Sequence, residues 1–299
     1  MASPNIIQRG YNTIMKKSML LILTAMFLVL AGCGQGGGTA SNNANDTTAP
    51  TAATENTDSK ELTTLKVASL PAPMDAILLL VKPLLVEDGI NLEIVEMSDN
   101  IQPNDALANK EVDANFFQHV PYAEAYNEAK GANIVPVQPV YNALYAGYSK
   151  KYKSVDELPD NAIIAIPNDP PNIAHSLLLL EQNDMIELKE GVGIKATLQD
   201  ITSNPKNYQF KEVDLLTLNR MMDDADLVTM YPAYAKPLGL SAKKDALIVE
   251  KDMQAFAITL MAREDNKDDP AIQKLAERMR GPEVVKFLEE EYTDTYPAF

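Results

Sequence analysis

The sequence lacks tryptophan and contains very little cysteine or histidine. Among 299 residues there is one cysteine, Cys33, and there are two histidines, His119 and His175. A single cysteine cannot form a disulfide within the chain, so the core must hold the fold together without a cross-link. Basic residues are also few: 26 Lys and Arg against 42 Asp and Glu give a formal charge of -16. An acidic surface of this kind argues against nucleic acid and against anionic lipid headgroups as partners.

Common catalytic signatures are absent as well. The chain has no G-x-S-x-G elbow, no glycine-rich loop that would cradle a phosphate, and no H-E-x-x-H. With so many acidic residues, a pair of carboxylates carries no information. We therefore predict that the protein is not an enzyme and needs no cofactor. A metal site built from His119, His175 and Asp169 remains a weaker alternative, since the three could meet across a cleft.

The first 32 residues have the features of a secretory signal. Arg9, Lys16 and Lys17 precede an apolar run over residues 19–32, which is too short to span a membrane and ends in L-A-G before Cys33. That ending is a lipobox, which predicts a signal peptide over 1–32 and a lipid (palmitate-type) anchor on Cys33. The predicted location is the extracytoplasmic face of the cell membrane.

Residues 33–62 are predicted to form a disordered tether after the lipidated cysteine. They are mostly Gly, Ser, Thr, Asn and Ala with almost no large apolar residue, so they cannot bury enough surface to offset the entropy of ordering. Removing the three basic residues of the signal leaves a charge of -19 on the mature chain, so the lipid rather than electrostatics must provide the attachment.

From about residue 63 the pattern alternates short apolar strands with helices. This rhythm predicts an α/β fold with crossover connections and mostly parallel sheets. A long Tyr-rich segment without helical period, residues 134–149, is expected to leave one lobe for another. The predicted architecture has a first lobe over 63–145 and 246–299 and a second over 146–245. Pro83 is expected to kink or divide the helix predicted over 74–87.

One aromatic stretch, residues 113–122 (DANFFQHVPY), stands out as a candidate ligand site. Aromatic faces with a few polar groups among them are typical of small-ligand pockets. Successive side chains of a strand point to opposite faces, so Phe116 and Phe117 cannot both face a pocket. We expect Phe117 to face the cleft and Phe116 to lie in the core.

Three loops that follow predicted strands are expected to carry the site. They cover residues 115–122, 167–175 and 231–234, and the two histidines fall in the first two. Each loop leads into a helix, whose N-terminal amides favour the anionic end of a ligand. In open α/β sheets, ligands bind beyond the carboxyl ends of the strands.

The chain resembles the methionine-binding lipoproteins of the MetQ/NlpA family from about residue 65 to near its end. The resemblance is carried by long motifs in the family's order: QPNDAL (102–107), DANFFQHVPY (113–122), GYSKK (147–151), PNDP (167–170), DI (200–201), NPKN (204–207) and RED (263–265). It implies a two-lobed, periplasmic-binding-protein-like (type II-like) fold with the ligand cleft between the lobes. It also implies delivery of the ligand to the permease and ATPase of an ABC importer.

Three positions depart from the family pattern that the resemblance supplies. His175 stands where the family has the Arg expected to hold the ligand carboxylate, and Ala233 and Ile258 stand where it has Asn. A histidine cannot copy the two-pronged grip of Arg, and an unperturbed imidazole is only partly protonated at neutral pH. The resemblance therefore implies an intact aromatic half of the pocket and a changed polar half.

Our leading hypothesis is a lipid-anchored solute-binding protein for methionine or a related small ligand. Phe117, His119 and Tyr122 would hold its apolar part, while Asn115, Asn172 and His175 would orient its polar end. The alternatives are a surface interaction lipoprotein on the same fold that has lost amino-acid binding, and a surface enzyme. The candidate ligand-binding residues are Asn115, Phe117, His119, Tyr122, Tyr145, Asn172, His175 and Tyr231.

Overall fold

The computed structural model describes residues 62–251 and 254–299. The predicted signal peptide, the predicted lipidation site Cys33 and nearly all of the predicted tether lie outside the described residues. Within the described part, no helix is both long enough and apolar enough to cross a membrane.

The first lobe is built on a mixed six-stranded sheet. Its strand order is β13-β4-β12-β3-β1-β2, with β3 and β12 in the interior. Every residue of β3 is buried, because this strand has a neighbour on each side and helices over its faces. The strands are β1 Thr63–Ser69, β2 Ile90–Glu96, β3 Ala114–Gln118, β4 Ile134–Ala143, β12 Ile258–Arg263 and β13 Thr295–Pro297.

The second lobe is built on a five-stranded sheet with the order β11-β5-β10-β6-β9. A separate two-stranded ribbon pairs β7 with β8. The strands are β5 Ala146–Tyr148, β6 Ile163–Pro167, β7 Glu187–Leu188, β8 Ile201–Ser203, β9 Gln209–Val213, β10 Leu227–Met230 and β11 Ala246–Val249.

Eight α-helices lie in the described part of the chain. The 14-residue helix predicted around Pro83 is present and is not divided there. A 3-10 helix, Leu215–Met222, lies in the second lobe. The α-helices are α1 Met74–Glu87, α2 Gln102–Ala108, α3 Val120–Lys130, α4 Pro170–Gln182, α5 Pro232–Ala235, α6 Ala242–Asp245, α7 Pro270–Met279 and α8 Pro282–Glu291.

Two predictions about the sheets need correction. The sheets are mixed rather than mostly parallel, because the chain enters and leaves the second lobe along strands that run against their neighbours. The predicted return to the first lobe at residue 246 is a few residues too early, because β11 pairs with β5 in the second sheet. Similarly, Tyr145 packs in the core of the second lobe. The segment 134–149 does pass from one sheet to the other, as predicted.

The two adjacent phenylalanines of β3 separate as predicted. Phe116 is fully buried in the first-lobe core, where its ring meets Tyr141 edge-on at 6.2 Å between centroids. Phe117 points the other way and lines the cavity described below. Strand alternation therefore assigns one ring to stability and the other to the site.

Candidate functional site

A cavity of about 180 Å³ lies where the two lobes meet. Phe117 and Tyr122 come from the first lobe, and Tyr231 and Tyr234 come from the second. Mostly apolar and aromatic walls with a few polar groups are the usual composition of a small-ligand site. The other residues that line it are Pro73, Met74, Asn100, Gln118, His119, Tyr141, Ala143, Asn172, Leu215, Pro232, Ala233, Lys236, Leu240, Ser241, Ile258, Glu291, Tyr292, Thr293, Asp294 and Thr295.

The three predicted loops converge on this cavity, each at the start of a helix. His119 is the N-cap of α3, and its Nδ1 accepts a hydrogen bond from the backbone N–H of Tyr122 at 3.2 Å. Asp169 is the N-cap of α4, and its carboxylate accepts from the N–H of Asn172 at 3.1 Å. Tyr231 precedes α5. Side-chain acceptors at the cap position satisfy helix N–H groups that would otherwise lack a partner.

Five of the eight residues predicted to bind a ligand line the cavity, and three do not. Phe117, His119, Tyr122, Asn172 and Tyr231 are part of the wall. Asn115, Tyr145 and His175 are outside the wall, and each is fully buried. The structure therefore brings the predicted aromatic residues together, except Tyr145, and it buries Asn115 and His175 in the core.

Asn115 belongs to a buried cluster of side-chain amides that fastens β3 to α2. Its Nδ2 donates to the carbonyl of Pro103 at 3.0 Å and to Oδ1 of Asn104 at 2.8 Å. Gln118 donates from Nε2 to Oδ1 of Asn115 at 3.0 Å. Buried amides need such partners because an unpaired polar group is costly. The contacts give Asn115 a structural role.

His119 is a neutral imidazole whose tautomer follows from its partners. Because Nδ1 accepts from Tyr122, the ring proton must lie on Nε2, which faces Oδ1 of Asn172 at 3.2 Å. The amide nitrogen of Asn172 donates to Asp169 at 2.8 Å, which fixes the orientation of that amide. Burial lowers the pKa of His119 to about 3. At neutral pH, this residue offers the ligand no charge.

A chain of hydrogen bonds runs from Asn172 into the core of the second lobe. The Tyr231 hydroxyl donates to Oδ1 of Asn172 at 3.0 Å. A hydroxyl has only one proton, so the 3.1 Å contact between this oxygen and Nδ1 of His175 requires His175 to be the donor. Nε2 of His175 then faces Oε2 of Glu250 at 2.8 Å, and a proton must lie between these two atoms.

The His175–Glu250 pair therefore holds one proton more than a neutral imidazole and a carboxylate would, and its net charge is zero. Burial lowers the pKa of His175 well below its usual value, which favours placing this proton on the carboxyl group. The other oxygen of Glu250 accepts from the backbone N–H of Tyr145 at 2.9 Å. His175 has no contact with the cavity and no charge to offer a ligand carboxylate.

Two aromatic rings enclose the His175 imidazole. It stacks on Phe256 with centroids 3.7 Å apart and on Tyr145 with centroids 4.2 Å apart. Phe256 also meets His119 edge-on at 5.0 Å. An arginine at position 175 would have to place a permanent charge between these two rings, whereas a neutral imidazole stacks between them as an aromatic ring.

The other two departures from the family pattern do face the cavity. Ala233 and Ile258 line its wall, and neither has a polar side chain. Neither can supply the amide that the resemblance implied at these positions.

No group of three or more His, Cys, Asp or Glu side chains suited to a metal lies within 62–251 and 254–299. The ring nitrogens of His119 and His175 are engaged with protein partners. The alternative of a metal site at these two histidines and Asp169 gains no support from the geometry.

Several wall and support residues were missed by the sequence analysis. Glu250 carried a signal, since it is a carboxylate at the end of a short apolar strand, yet its partner is 75 residues away. Tyr234 was inside a predicted loop but was not selected. The C-terminal wall, residues 291–295, had no local signal, because only the packing of the first lobe brings it to the cavity.

Comparisons with known proteins agree with this architecture. The family model described as NlpA lipoprotein matches residues 65–299. The D-methionine-binding lipoprotein MetQ of Escherichia coli K12 is 39% identical over 198 residues, which is 66% of this chain and 73% of that protein.

Two solved structures illustrate the similarity of fold. A nutrient-binding protein from Burkholderia cenocepacia bound to methionine is 34% identical with a TM-score of 0.75, covering 79% of this chain and 100% of that one. An ABC transporter periplasmic substrate-binding protein from Coxiella burnetii is 36% identical with a TM-score of 0.74, covering 78% and 99%. The matched family model and the shared two-lobed α/β fold show that this chain belongs to the NlpA lipoprotein family.

Proposed function

We propose that this protein is a solute-binding lipoprotein that holds methionine or a related small amino-acid-like ligand between its lobes and delivers it to an ABC importer. The observation that carries the proposal is the cavity whose aromatic walls come from both lobes. A ligand there would contact Phe117 and Tyr122 on one side and Tyr231 and Tyr234 on the other. Its binding would favour lobe closure, which a permease can recognise.

A thioether suits this cavity for physical reasons. Sulfur is polarisable and makes favourable contacts with aromatic rings, worth about 0.3–1.5 kcal/mol each. The relatives named for methionine binding support the same ligand class.

The proposal includes the attachment and the partners. Signal cleavage before Cys33 and lipidation of that residue would leave residues 33–62 as a tether on the extracytoplasmic face of the membrane. The ABC permease and ATPase would be the protein partners. The protein would act by binding, without catalysis.

The test is isothermal titration calorimetry on the full chain, purified in detergent and freed of carried-over ligand by unfolding and refolding. We expect heat with methionine or with at least one close derivative. Phe117→Ala should weaken binding about tenfold or more, because it removes aromatic contact area from the wall.

Phe116→Ala is the matched control, since it truncates the neighbouring ring on the opposite face of β3. It should lower the free energy of unfolding by about 3–5 kcal/mol and leave the affinity of the folded protein close to wild type. If methionine and all derivatives give no heat, binding is refuted and the surface interaction protein becomes the better description.

A further inference from the structure

The charges around the cavity are distributed unevenly. Of the wall residues, Lys236 is basic, and Glu291 and Asp294 are acidic. Lys236 is exposed at the rim, where its Nζ donates to the carbonyl of Glu291 at 3.1 Å and lies 4.0 Å above the ring of Tyr292. The described walls therefore have no cationic side chain in the interior.

The two histidines do not change this balance. His119 is neutral, and both its ring nitrogens are hydrogen-bonded. His175 lies outside the wall in a pair of zero net charge. A ligand carboxylate buried here would lose its hydration without gaining an ionic partner, at a cost of several kcal/mol.

Nearby carboxylates make the interior unfavourable for an anion. The Asp169 carboxylate caps α4 next to Asn172. Burial first, and then the negative charges of Asp169 and Asp214 among others, raise the pKa of the Tyr122 and Tyr234 hydroxyls. The same potential that opposes a phenolate would attract an ammonium group.

The walls can accept an ammonium group directly. Faces of Tyr and Phe rings attract cations within about 6 Å, and the Lys236 ammonium already occupies such a position over Tyr292. The Tyr234 hydroxyl has no hydrogen-bond partner within the described residues, so it can pair with a neutral amide or ester.

We propose that the cavity selects an amine with a methionine-sized apolar tail and a blocked or absent carboxylate, such as an amide, an ester or the decarboxylated amine, over the free amino acid. This inference rests on the proposed function, because it names which relative of methionine the same site takes. It follows from the uncharged interior and from the aromatic rings contributed by both lobes.

The test is a calorimetric comparison of methionine, methioninamide and 3-(methylthio)propylamine on the full chain in detergent at pH 6.5. The expected result is a dissociation constant at least tenfold lower for methioninamide than for methionine, with the amine also binding more tightly than methionine. Equal or tighter binding of methionine would overturn the inference and leave the proposed function standing. Absence of heat with all three probes would overturn both.

Lys236→Ala tests the remaining source of a positive charge, with Lys243→Ala as a matched control that removes a nearby lysine outside the wall. Neither substitution should change the tenfold preference for methioninamide over methionine by more than about twofold. If Lys236→Ala weakened methionine tenfold and left methioninamide unchanged, a carboxylate would be held at the rim and the inference would be overturned.

Discussion

At the scale of single residues, position 175 decides what the site can offer. The sequence predicted a histidine that orients the polar end of a ligand. The structure places it between Tyr145 and Phe256, with both nitrogens engaged. Hydrogen-bond direction, traced from Asp169 through Asn172 and Tyr231, shows that it shares a proton with Glu250. No local pattern could reveal this, because the partners come from separate segments of the chain.

The wild-type protein should lose stability as the pH rises above about 6.5, and Glu250→Gln should abolish this loss. At pH 8.5 the native pair holds one proton more than a neutral imidazole and a carboxylate. In the unfolded chain at this pH, Glu250 is ionised and His175 is neutral, so this additional proton is absent. Unfolding thus releases a proton, so stability falls as pH rises above the unfolded His value of about 6.5, by about 2–3 kcal/mol between pH 6.5 and 8.5. A Gln amide can donate to His175 at either pH, so the variant should lose this slope in urea unfolding.

Glu290→Gln is the control for that substitution, since Glu290 is exposed and has only a 3.9 Å ion pair with Lys286. It should keep the wild-type slope. If Glu250→Gln kept the slope too, or destabilised the protein strongly at pH 6.5, the buried proton would be disproved.

At the scale of elements, the apolar pattern predicted the alternation of strands and helices from about residue 63. The helix over 74–87 has the predicted bounds. The mixed sheet order and the place of β11 were not predictable, because strand direction depends on how distant segments pair. The same limit applies to the cavity. Strand alternation chose Phe117 over Phe116, but it could not show that Asn115 is held by Asn104.

Pro83→Ala should stabilise the protein. Pro83 is exposed in the interior of α1 and cannot donate a backbone hydrogen bond there. A proline inside a helix costs about 3 kcal/mol relative to Ala. Replacing it also gives the unfolded chain more conformational entropy, which lowers the gain in stability by up to about 1 kcal/mol. We expect a net gain of about 1–2 kcal/mol in urea unfolding.

Pro282→Ala provides the comparison, because Pro282 is an exposed proline at the first position of α8, where proline is favourable. That change should be neutral or slightly destabilising. A gain from Pro282→Ala equal to that from Pro83→Ala would show that helix position is not the cause.

At the scale of the whole molecule, His119 connects the lobes. It caps α3 in the first lobe and donates to Asn172 in the second. Because burial holds its pKa at about 3, the native protein does not take up the proton that the unfolded chain binds below about pH 6.5. The free energy of unfolding should therefore decrease as the pH is lowered, by about 2–3 kcal/mol between pH 6.5 and 4.5.

Urea unfolding at those two pH values measures this effect, and His119→Asn is the informative variant. Its amide oxygen can still cap α3, but it does not titrate in this range. The variant should lose most of the acid slope. An unchanged slope would assign the acid sensitivity to other groups.

The order of strands in the first sheet also constrains how the chain can fold. β12 lies between β3 and β4, yet it follows the whole second sheet in the sequence. All strands of the second sheet fall within residues 146–249, so that sheet can close before β12 is synthesised. The first sheet cannot be completed until β12, more than a hundred residues after β4, has been synthesised. Contacts of such long sequence separation form slowly. During synthesis, β3 and β4 must therefore remain unpaired along the edges that β12 will fill, which makes the N-terminal half of the chain the part most in need of protection from aggregation.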